Sequence, residues 1–229
     1  MQIHGLQKMT LLDFPGKVAC TVFVDGCNFR CPFCHNSELL GVGFPPLMND
    51  GELLAFLEKR KGILDGVCIT GGEPLMQKEL PQLLEKIKEL GYPVKLDTNG
   101  SFPEALEMLI DRGLVDYVAM DIKNSPRRYA MTIGREQYDL SKVEKSIALL
   151  LQGKVDYEFR TTVVAQLHDE DSFHDIGRWI QGAKRYFLQC FTPRDSVLQS
   201  GLDAPSEKNM HRYAEIARIY IPETGVRGV

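Results

Sequence analysis

Three of the six cysteines lie close together in the segment GCNFRCPFC, and their spacing is the clearest sign of chemistry in the sequence. Cys27, Cys31 and Cys34 follow the pattern C-x3-C-x2-C. Cysteine thiolates hold the iron corners of a cubane iron–sulfur cluster. If the protein supplies three thiolates to such a cluster, one iron keeps open positions for another ligand. The pattern therefore predicts a single 4Fe-4S cluster with three cysteine ligands.

Other roles for these three cysteines remain open from the spacing alone. Residues at i, i+4 and i+7 share a helix face, but Gly26 and Pro32 disfavour a helix here. A disulfide would leave one cysteine over, and structural zinc normally has four ligands, of which His35 would follow Cys34 directly. A metal-binding or iron–sulfur module without catalysis is therefore the alternative of a different class. The remaining cysteines lie in separate apolar stretches, as expected of small buried side chains: Cys20, Cys68 and Cys190.

The composition is that of a folded chain and argues against several classes of protein. The 229 residues carry 27 basic and 31 acidic side chains, which gives a net charge of −4. The basic residues are dispersed, whereas nucleic-acid binding requires concentrated positive charge. Apolar runs are far shorter than the ~18 residues of a membrane helix, and Lys8 and Asp13 interrupt any apolar signal sequence. We therefore expect a cytoplasmic protein that binds no nucleic acid and no membrane.

Short β-rich stretches alternate with longer amphipathic stretches, which predicts repeated strand–helix units. The predicted strands are apolar or β-branched and are bounded by turn residues: 19–24, 66–70, 93–97, 117–121, 158–164 and 186–191. The predicted helices are 52–61, 78–90, 103–112, 141–152, 169–183 and 206–220. Asn49 or Asp50 is expected to cap the first helix, and Ser141 with Glu144 is expected to form a capping box.

Alternating strands and helices predict a parallel sheet in one domain over residues 1–229. The core of this domain is expected at about 17–194, followed by a C-terminal helix and tail at 205–229. Six units could form an open doubly wound sheet or a partial barrel. Most predicted strands end in a polar residue or a glycine run, such as Asp97 and Asp121. Because such residues converge at the carboxyl end of a barrel, the pattern favours an α/β fold with a partial (β/α)6 TIM-like barrel of parallel strands.

The motifs along the chain resemble those of a known superfamily. CNFRCPFCHN at 27–36, followed by GGEP at 71–74, resembles the cluster and glycine motifs of the radical S-adenosylmethionine (radical SAM) enzymes. LDTNG at 96–100 and MDIK at 120–123 are similar to the glycyl-radical-enzyme activating enzymes. The opening LLDFPGKVACTVFVDGCNFRCPFCHN is similar to the activating proteins of anaerobic ribonucleoside-triphosphate reductase. The resemblance covers most of the chain and thins after about Arg194.

The resemblance implies an enzyme that reductively cleaves S-adenosylmethionine at a 4Fe-4S cluster and generates a glycyl radical on a partner enzyme. Anaerobic ribonucleotide reductase is the expected partner, and a flavodoxin- or ferredoxin-type protein is the expected electron donor. The cofactors carry the chemistry, so no catalytic acid or base is expected. A small-molecule radical SAM enzyme, such as a 7-carboxy-7-deazaguanine synthase, is the alternative of the same class. Residues 35–66 contain no cysteine, so only one cluster is expected.

The resemblance also assigns roles to individual positions. It implies that Cys27, Cys31 and Cys34 bind the cluster. It also implies that S-adenosylmethionine is bound by a set of residues from the later motifs and the end of the cluster motif: Phe33, His35, Gly71, Gly72, Glu73, Asp97, Asp121, Lys123 and Arg160. A monovalent cation is a further implied ligand, at Asp97, Thr98 and Asp121. The stretch LQCFTPRD has no histidine where the pyruvate formate-lyase type has one, so contacts to the ribose are not predicted there. His168, in the acidic loop LHDEDS, is expected to face solvent.

Overall fold

The computed structural model describes residues 1–41 and 45–229, in which ten strands and seven α-helices are found. In chain order the strands are β1 (Gln2–Ile3), β2 (Gly5–Thr10), β3 (Ala19–Val24), β4 (Met48–Asn49), β5 (Gly66–Gly71), β6 (Val94–Thr98), β7 (Tyr117–Asp121), β8 (Asp156–Val163), β9 (Tyr186–Cys190) and β10 (Thr224–Arg227). The helices are α1 (Asp50–Glu58), α2 (Leu80–Glu89), α3 (Pro103–Asp111), α4 (Tyr129–Thr132), α5 (Ser141–Leu151), α6 (Glu170–Trp179) and α7 (Glu207–Arg218).

Eight of the described strands form one sheet in the order β10-β9-β8-β7-β6-β5-β3-β2. From β3 to β9, neighbouring strands are parallel and follow chain order. A doubly wound sheet reverses its strand order, whereas a barrel adds each new strand on the same side. The predicted α/β fold with a partial barrel of parallel strands is therefore confirmed. At the two edges, β10 is parallel to β9 and β2 is antiparallel to β3.

All the predicted strands are present, and their ends differ from the prediction by at most two residues. The prediction does not include β1, β2, β4 and β10. The strands β1 and β4 are only two residues long and pair with each other. In β2, the successive residues Gln7, Lys8 and Met9 are all exposed, which hides the alternation expected of a strand. The sheet thus extends on both sides beyond the predicted core of 17–194.

Side-chain hydrogen bonds fix several of the helix starts, and two of them bear on the caps predicted from the sequence. Asn49 caps α1 as predicted, because its side chain accepts a hydrogen bond from the N–H of Glu52, whose carboxylate accepts one from the N–H of Asn49. The capping box predicted for Ser141 and Glu144 is wrong, because Ser141 is already the first helical residue of α5. The carboxylate of Asp139 accepts from both the N–H and the hydroxyl of Ser141 and starts this helix instead.

The helices contribute mainly leucine and isoleucine to the core. In α2, for example, Leu83, Leu84 and Ile87 are buried. Burial of a side chain of this size stabilises the fold by about 1.5–3 kcal/mol. Within residues 1–41 and 45–229, none of the helices combines the length and the apolar character that crossing a membrane would require.

The inner face of the barrel is charged as well as apolar. Glu158 on β8 is almost completely buried and accepts hydrogen bonds from the Tyr117 hydroxyl at 2.9 Å and from Arg227 at 2.8 and 2.9 Å. Burial raises the pKa of Glu158, but the Arg227 guanidinium outweighs this and holds it below its usual value. The contact joins β7, β8 and β10. On the same face, two residues further along β8, lies Arg160.

Candidate functional site

A pocket lies at the carboxyl ends of the parallel strands, where their polar ends meet. It is lined by the loop after β3 and by the ends of β5, β6, β7 and β8. It brings together nearly all of the residues assigned from the sequence: Cys27, Cys31, Phe33, Cys34, His35, Gly71, Gly72, Asp97, Thr98, Asp121, Lys123 and Arg160. Glu73 differs from these, because it is fully buried behind the pocket wall.

All three cysteines of the loop after β3 line this pocket. Cys31 is buried, and Cys27 and Cys34 are partly exposed. Burial raises the pKa of the Cys31 thiol to about 12, against an opposing effect of Lys123, and raises the pKa of the other two thiols as well. The free thiols therefore keep their protons at neutral pH and must release them when a metal binds. Three sulfur donors in one pocket fit an iron–sulfur cluster.

We call the loop after β3, which carries Cys27, Cys31 and Cys34, the cysteine loop. It is held from one side by the segment that follows α4. Arg30 donates its backbone N–H to the carbonyl of Ile133 at 3.0 Å. Arg135 donates Nη2 to the carbonyl of Asn28 at 2.8 Å. Between these two contacts, Gly134 has a φ of +70°, and a Cβ there would lie 2.3 Å from the Arg30 carbonyl oxygen. Only glycine fits such a close approach in this conformation.

Asn99, directly after β6, contacts the cysteine loop from another side. Its Nδ2 lies 3.0 Å from the side-chain oxygen of Asn28 and 3.8 Å from Sγ of Cys27. The Asn28 amide in turn donates to the Ser101 hydroxyl at 2.9 Å. Asn99 received no role from the sequence, although it lies within the LDTNG motif. Its amide supplies a hydrogen-bond donor beside one of the three sulfurs, a contact that can tune a bound metal.

The glycine pair at the end of β5 is required by the packing of the strand ends. Gly71 has a φ of +120°, and a Cβ there would lie 2.3 Å from the carbonyl oxygen of Val24. A Cβ on Gly72 would lie 1.9 Å from the carbonyl oxygen of Gly26. Both glycines line the pocket with their backbone. Side chains here would push apart the ends of β3 and β5, and with them the start of the cysteine loop.

Glu73 joins the ends of β5 and β6 from behind the pocket. Its carboxylate accepts hydrogen bonds from the N–H of Leu75 at 3.1 Å, from the Thr98 hydroxyl at 2.7 Å and from the N–H of Asn99 at 2.7 Å. Burial raises the pKa of Glu73 to about 7, although these hydrogen bonds act in the opposite direction. In this structure Glu73 therefore positions the loop after β6. A direct contact of Glu73 with a cofactor stays a prediction.

A chain of five alternating charges crosses the pocket wall, and we call it the charge ladder. Arg160 lies at its centre and donates to Asp97 at 3.1 Å and to Asp121 at 3.0 Å. Lys123 donates to the other oxygen of Asp121 at 2.9 Å, and Lys95 forms a short ion pair with the other oxygen of Asp97. Burial raises the pKa of both carboxyl groups, but the neighbouring cations outweigh it and lower the pKa of Asp121 to about 2.

The prediction that His168 faces solvent is wrong. The side chain is buried, and its Nε2 lies 3.0 Å from the carbonyl oxygen of Lys123. The N–H of Val164 donates to Nδ1 at 3.1 Å, so Nε2 carries the proton and donates to Lys123. Burial lowers the pKa of His168 to about 4. The acidic residues of LHDEDS start α6, with Asp169 as its N-cap, while the histidine turns inward and supports the strand end that carries Lys123.

His35 is anchored at the edge of the pocket. Its ring stacks on Phe191 with a centroid distance of 5.3 Å and an interplanar angle of 11°, and its Nε2 lies 2.8 Å from the carbonyl oxygen of Thr192. Further along the segment after β9, the N–H of Gln199 donates to the carbonyl of Pro32 at 3.0 Å. The segment after β9 therefore contacts the cysteine loop at two points, although the resemblance to known sequences thins there.

In the described ranges, 1–41 and 45–229, no three His, Cys, Asp or Glu side chains are grouped as ligands of one metal ion. The thiolates of a cluster bind different irons, so the three cysteines need not meet this condition. The cation site at Asp97, Thr98 and Asp121 stays a prediction. Both carboxylates contact Arg160, and the Thr98 hydroxyl donates to Glu73.

Known proteins resemble this chain in sequence and fold. Residues 21–180 match the sequence profile of the radical SAM superfamily. A protein of Methanocaldococcus jannaschii assigned as a glycyl-radical enzyme activating enzyme is 32% identical over 238 aligned positions, which cover 99% of this chain and 96% of that protein. The pyruvate formate-lyase-activating enzyme of Clostridium pasteurianum is 34% identical over 128 residues, 54% of this chain and 52% of its own length. The crystal structure of Streptococcus suis SuiB, at 14% identity, superposes with a TM-score of 0.71 over 91% of this chain and 48% of that one, which shows a shared fold.

Proposed function

Because the chain belongs to the radical SAM superfamily, we propose that it is an activating enzyme that generates a glycyl radical on a partner enzyme. Enzymes of this superfamily use a 4Fe-4S cluster and S-adenosylmethionine. The observation that carries the proposal is the pocket itself, in which three cysteines lie beside the glycine pair and the charge ladder. Two of the relatives, named for glycyl-radical or pyruvate formate-lyase activation, support the reaction class.

We assign Cys27, Cys31 and Cys34 as the three cluster ligands. The three sulfurs line one pocket within a span of eight residues, which suits ligands of a single cluster, and each thiol must release its proton when the metal binds. When bound, the cluster supplies the electron that cleaves a carbon–sulfur bond of S-adenosylmethionine. The chain's own part is to hold this group in place. The Asn99 amide beside the sulfur of Cys27 adds a hydrogen-bond donor that favours the reduced, more negative cluster.

We assign the binding of S-adenosylmethionine to the rest of the pocket. The ammonium of Lys123 suits the methionine carboxylate, because charge-assisted hydrogen bonds are strong, and the carboxylate of Asp97 can accept a further hydrogen bond from the neutral amino group. The rings of Phe33 and His35 offer flat surfaces for adenine. Gly71 brings bare backbone to the same pocket. The reaction needs no acid or base from the chain, so these residues bind and orient the cofactor.

We propose anaerobic ribonucleoside-triphosphate reductase as the partner, on the similarity of residues 11–36 to the activating proteins of that enzyme. The electron donor in this scheme is a protein of the flavodoxin or ferredoxin type. Low-potential electron transfer and free cysteines both suit a reducing compartment, so we place the reaction in the cytoplasm.

The cluster assignment is tested by reconstituting the protein with iron and sulfide without oxygen. We expect a 4Fe-4S signal by electron paramagnetic resonance after reduction, and release of methionine from S-adenosylmethionine. Cys31→Ala should lose the intact cluster and the cleavage while remaining folded. Cys190→Ala is the matched control, because this half-buried cysteine lies outside the pocket lining. Normal cleavage by Cys31→Ala would overturn the ligand assignment.

The partner is tested with the same reduced protein and candidate glycyl-radical enzymes. We expect a glycyl radical signal on the reductase that depends on S-adenosylmethionine. A radical only on pyruvate formate-lyase would correct the partner and keep the reaction class. Cleavage of S-adenosylmethionine without a radical on any glycyl-radical enzyme would overturn the activating function.

A further inference from the structure

Lys95 is a buried charge to which no role is assigned from the sequence. It lies on β6, two residues before Asp97, so both side chains are on the inner face of the barrel. Lys95 is 1% exposed. Its ammonium pairs with one oxygen of Asp97, and the sulfur of Cys68 lies 3.8 Å from the same ammonium. A lysine is rarely buried to this extent unless it is paired.

Every carboxylate oxygen of the charge ladder has a cationic donor from the chain. In Asp97, Oδ1 accepts from Lys95 and Oδ2 accepts from Arg160. In Asp121, Oδ1 accepts from Arg160 and Oδ2 accepts from Lys123. The ladder therefore contains three cations and two carboxylates, a net charge of +1. Adding a further cation to this group would be unfavourable, because a partly buried site screens charge poorly.

We propose that Lys95 is a positioning residue that, together with Arg160, supplies from within the chain the positive charge needed by Asp97 and Asp121, in place of a bound monovalent cation. Each carboxylate oxygen can accept two hydrogen bonds, so Asp97 keeps free acceptor capacity toward the pocket. Lys95 and Arg160 each hold one oxygen of the Asp97 carboxylate, so the carboxylate keeps one orientation. Its free acceptor positions then point in a fixed direction. For S-adenosylmethionine binding, this inference rests on the proposed function.

The first test uses the cofactor-free protein and therefore does not depend on the reaction. The melting temperature is measured in potassium, sodium and choline chloride at one ionic strength. We expect the same value for the wild type in all three salts. Lys95→Met removes one cation and exposes an oxygen of Asp97 to a new partner. Potassium or sodium at about tenfold its dissociation constant should then raise the melting temperature of this variant by roughly 3–6 °C relative to choline.

Lys88→Met is the matched control. Lys88 also forms an ion pair, with Asp116 at 2.7 Å, but both residues are partly exposed and lie away from the pocket. This variant should behave as the wild type does in the three salts. If Lys95→Met does not fold, Arg160→Gln provides the same test, because it frees one oxygen of Asp97 and one of Asp121.

A second measurement follows the binding of S-adenosylmethionine to the reconstituted protein by equilibrium dialysis. Wild-type affinity should be equal in potassium and choline, whereas Lys95→Met should bind at least about tenfold more weakly in choline and recover in part with potassium. Salt-specific stabilisation of the wild type, or a Lys95→Met variant as insensitive as the wild type, would overturn the inference. A reconstituted wild type that binds no S-adenosylmethionine would instead count against the proposed function, and the melting experiment would still decide the role of Lys95.

Discussion

Acidification is expected to destabilise the fold through His168. The neutral ring is matched to its surroundings: Nδ1 accepts from the N–H of Val164, and Nε2–H donates to the carbonyl of Lys123. A second proton on Nδ1 would displace the Val164 N–H and place a charge in the core. The nearby charges are Asp169, which favours the protonated ring, and Arg128, which opposes it. Burial outweighs both and lowers the pKa to about 4.

The sign and size of the effect follow from linkage. The unfolded chain has a histidine pKa of about 6.5 and binds the proton more readily than the folded chain does. The contribution of His168 to stability is therefore complete above pH 6.5 and is lost as the pH falls toward 4. At about 1.36 kcal/mol per pH unit, the loss approaches roughly 3.4 kcal/mol below pH 4 and amounts to about 2 kcal/mol at pH 5.

The assay is denaturant unfolding of the wild type and of His168→Gln between pH 7.5 and pH 5. A glutamine side chain has an acceptor group and a donor group and does not titrate. The unfolding free energy of His168→Gln therefore has no pH-dependent contribution from this position and serves as the reference. The difference in unfolding free energy between the two proteins should fall by about 2 kcal/mol over this range. His211→Gln, at an exposed position, should shift in parallel with the wild type. Equal pH slopes for the wild type and His168→Gln would refute the reasoning.

Two further substitutions test how the pocket wall is built. Gly72→Ala should destabilise the fold by about 1–3 kcal/mol or prevent folding, because its Cβ would lie 1.9 Å from the carbonyl oxygen of Gly26. Gly41→Ala, whose Cβ would have no atom of residues 1–41 or 45–229 within 4 Å beyond its chain neighbours, should leave the melting temperature nearly unchanged. Glu73→Gln should cost about 1–3 kcal/mol in chemical denaturation, because its amide must turn N–H groups toward buried donors such as the N–H of Asn99. An unchanged midpoint in either pocket variant would contradict the contacts described here.

Much of the barrel could be predicted because its elements carry local signals. The parallel strands are rich in apolar and β-branched residues and end at glycine or polar residues, so that composition and turn residues define them without tertiary information. The edge strand β2 carries no such signal, because its pairing with β3 leaves three successive residues exposed. The capping box at Ser141 fits the sequence pattern equally well, but Ser141 is already the first residue of α5, and Asp139, two residues earlier, accepts from its N–H and its hydroxyl.

The site residues could be predicted individually, whereas their partners could not. The motifs gave Asp97, Asp121 and Arg160, but the sequence does not show that one guanidinium bridges the two carboxylates from a third strand. In the sequence, Lys95 is only one of the alternating residues of β6. Its pairing with Asp97 depends on whether that side of the strand faces the inside of the barrel. His168 is hidden by its acidic neighbours, whose side chains start a helix while the ring turns inward.

The pocket is assembled by contacts among strand ends and loops of the chain itself. Gly72 sits against Gly26, Glu73 ties the ends of β5 and β6 together, and Gly134 allows the segment after α4 to reach the cysteine loop. Each of these contacts uses backbone atoms, and none of them involves a thiol of the three cysteines. The contacts that position the cysteine loop should therefore survive the loss of one thiol. For that reason, removing a single thiol should abolish the cluster while leaving the charge ladder in place, and loss of S-adenosylmethionine cleavage can be measured separately from loss of folding.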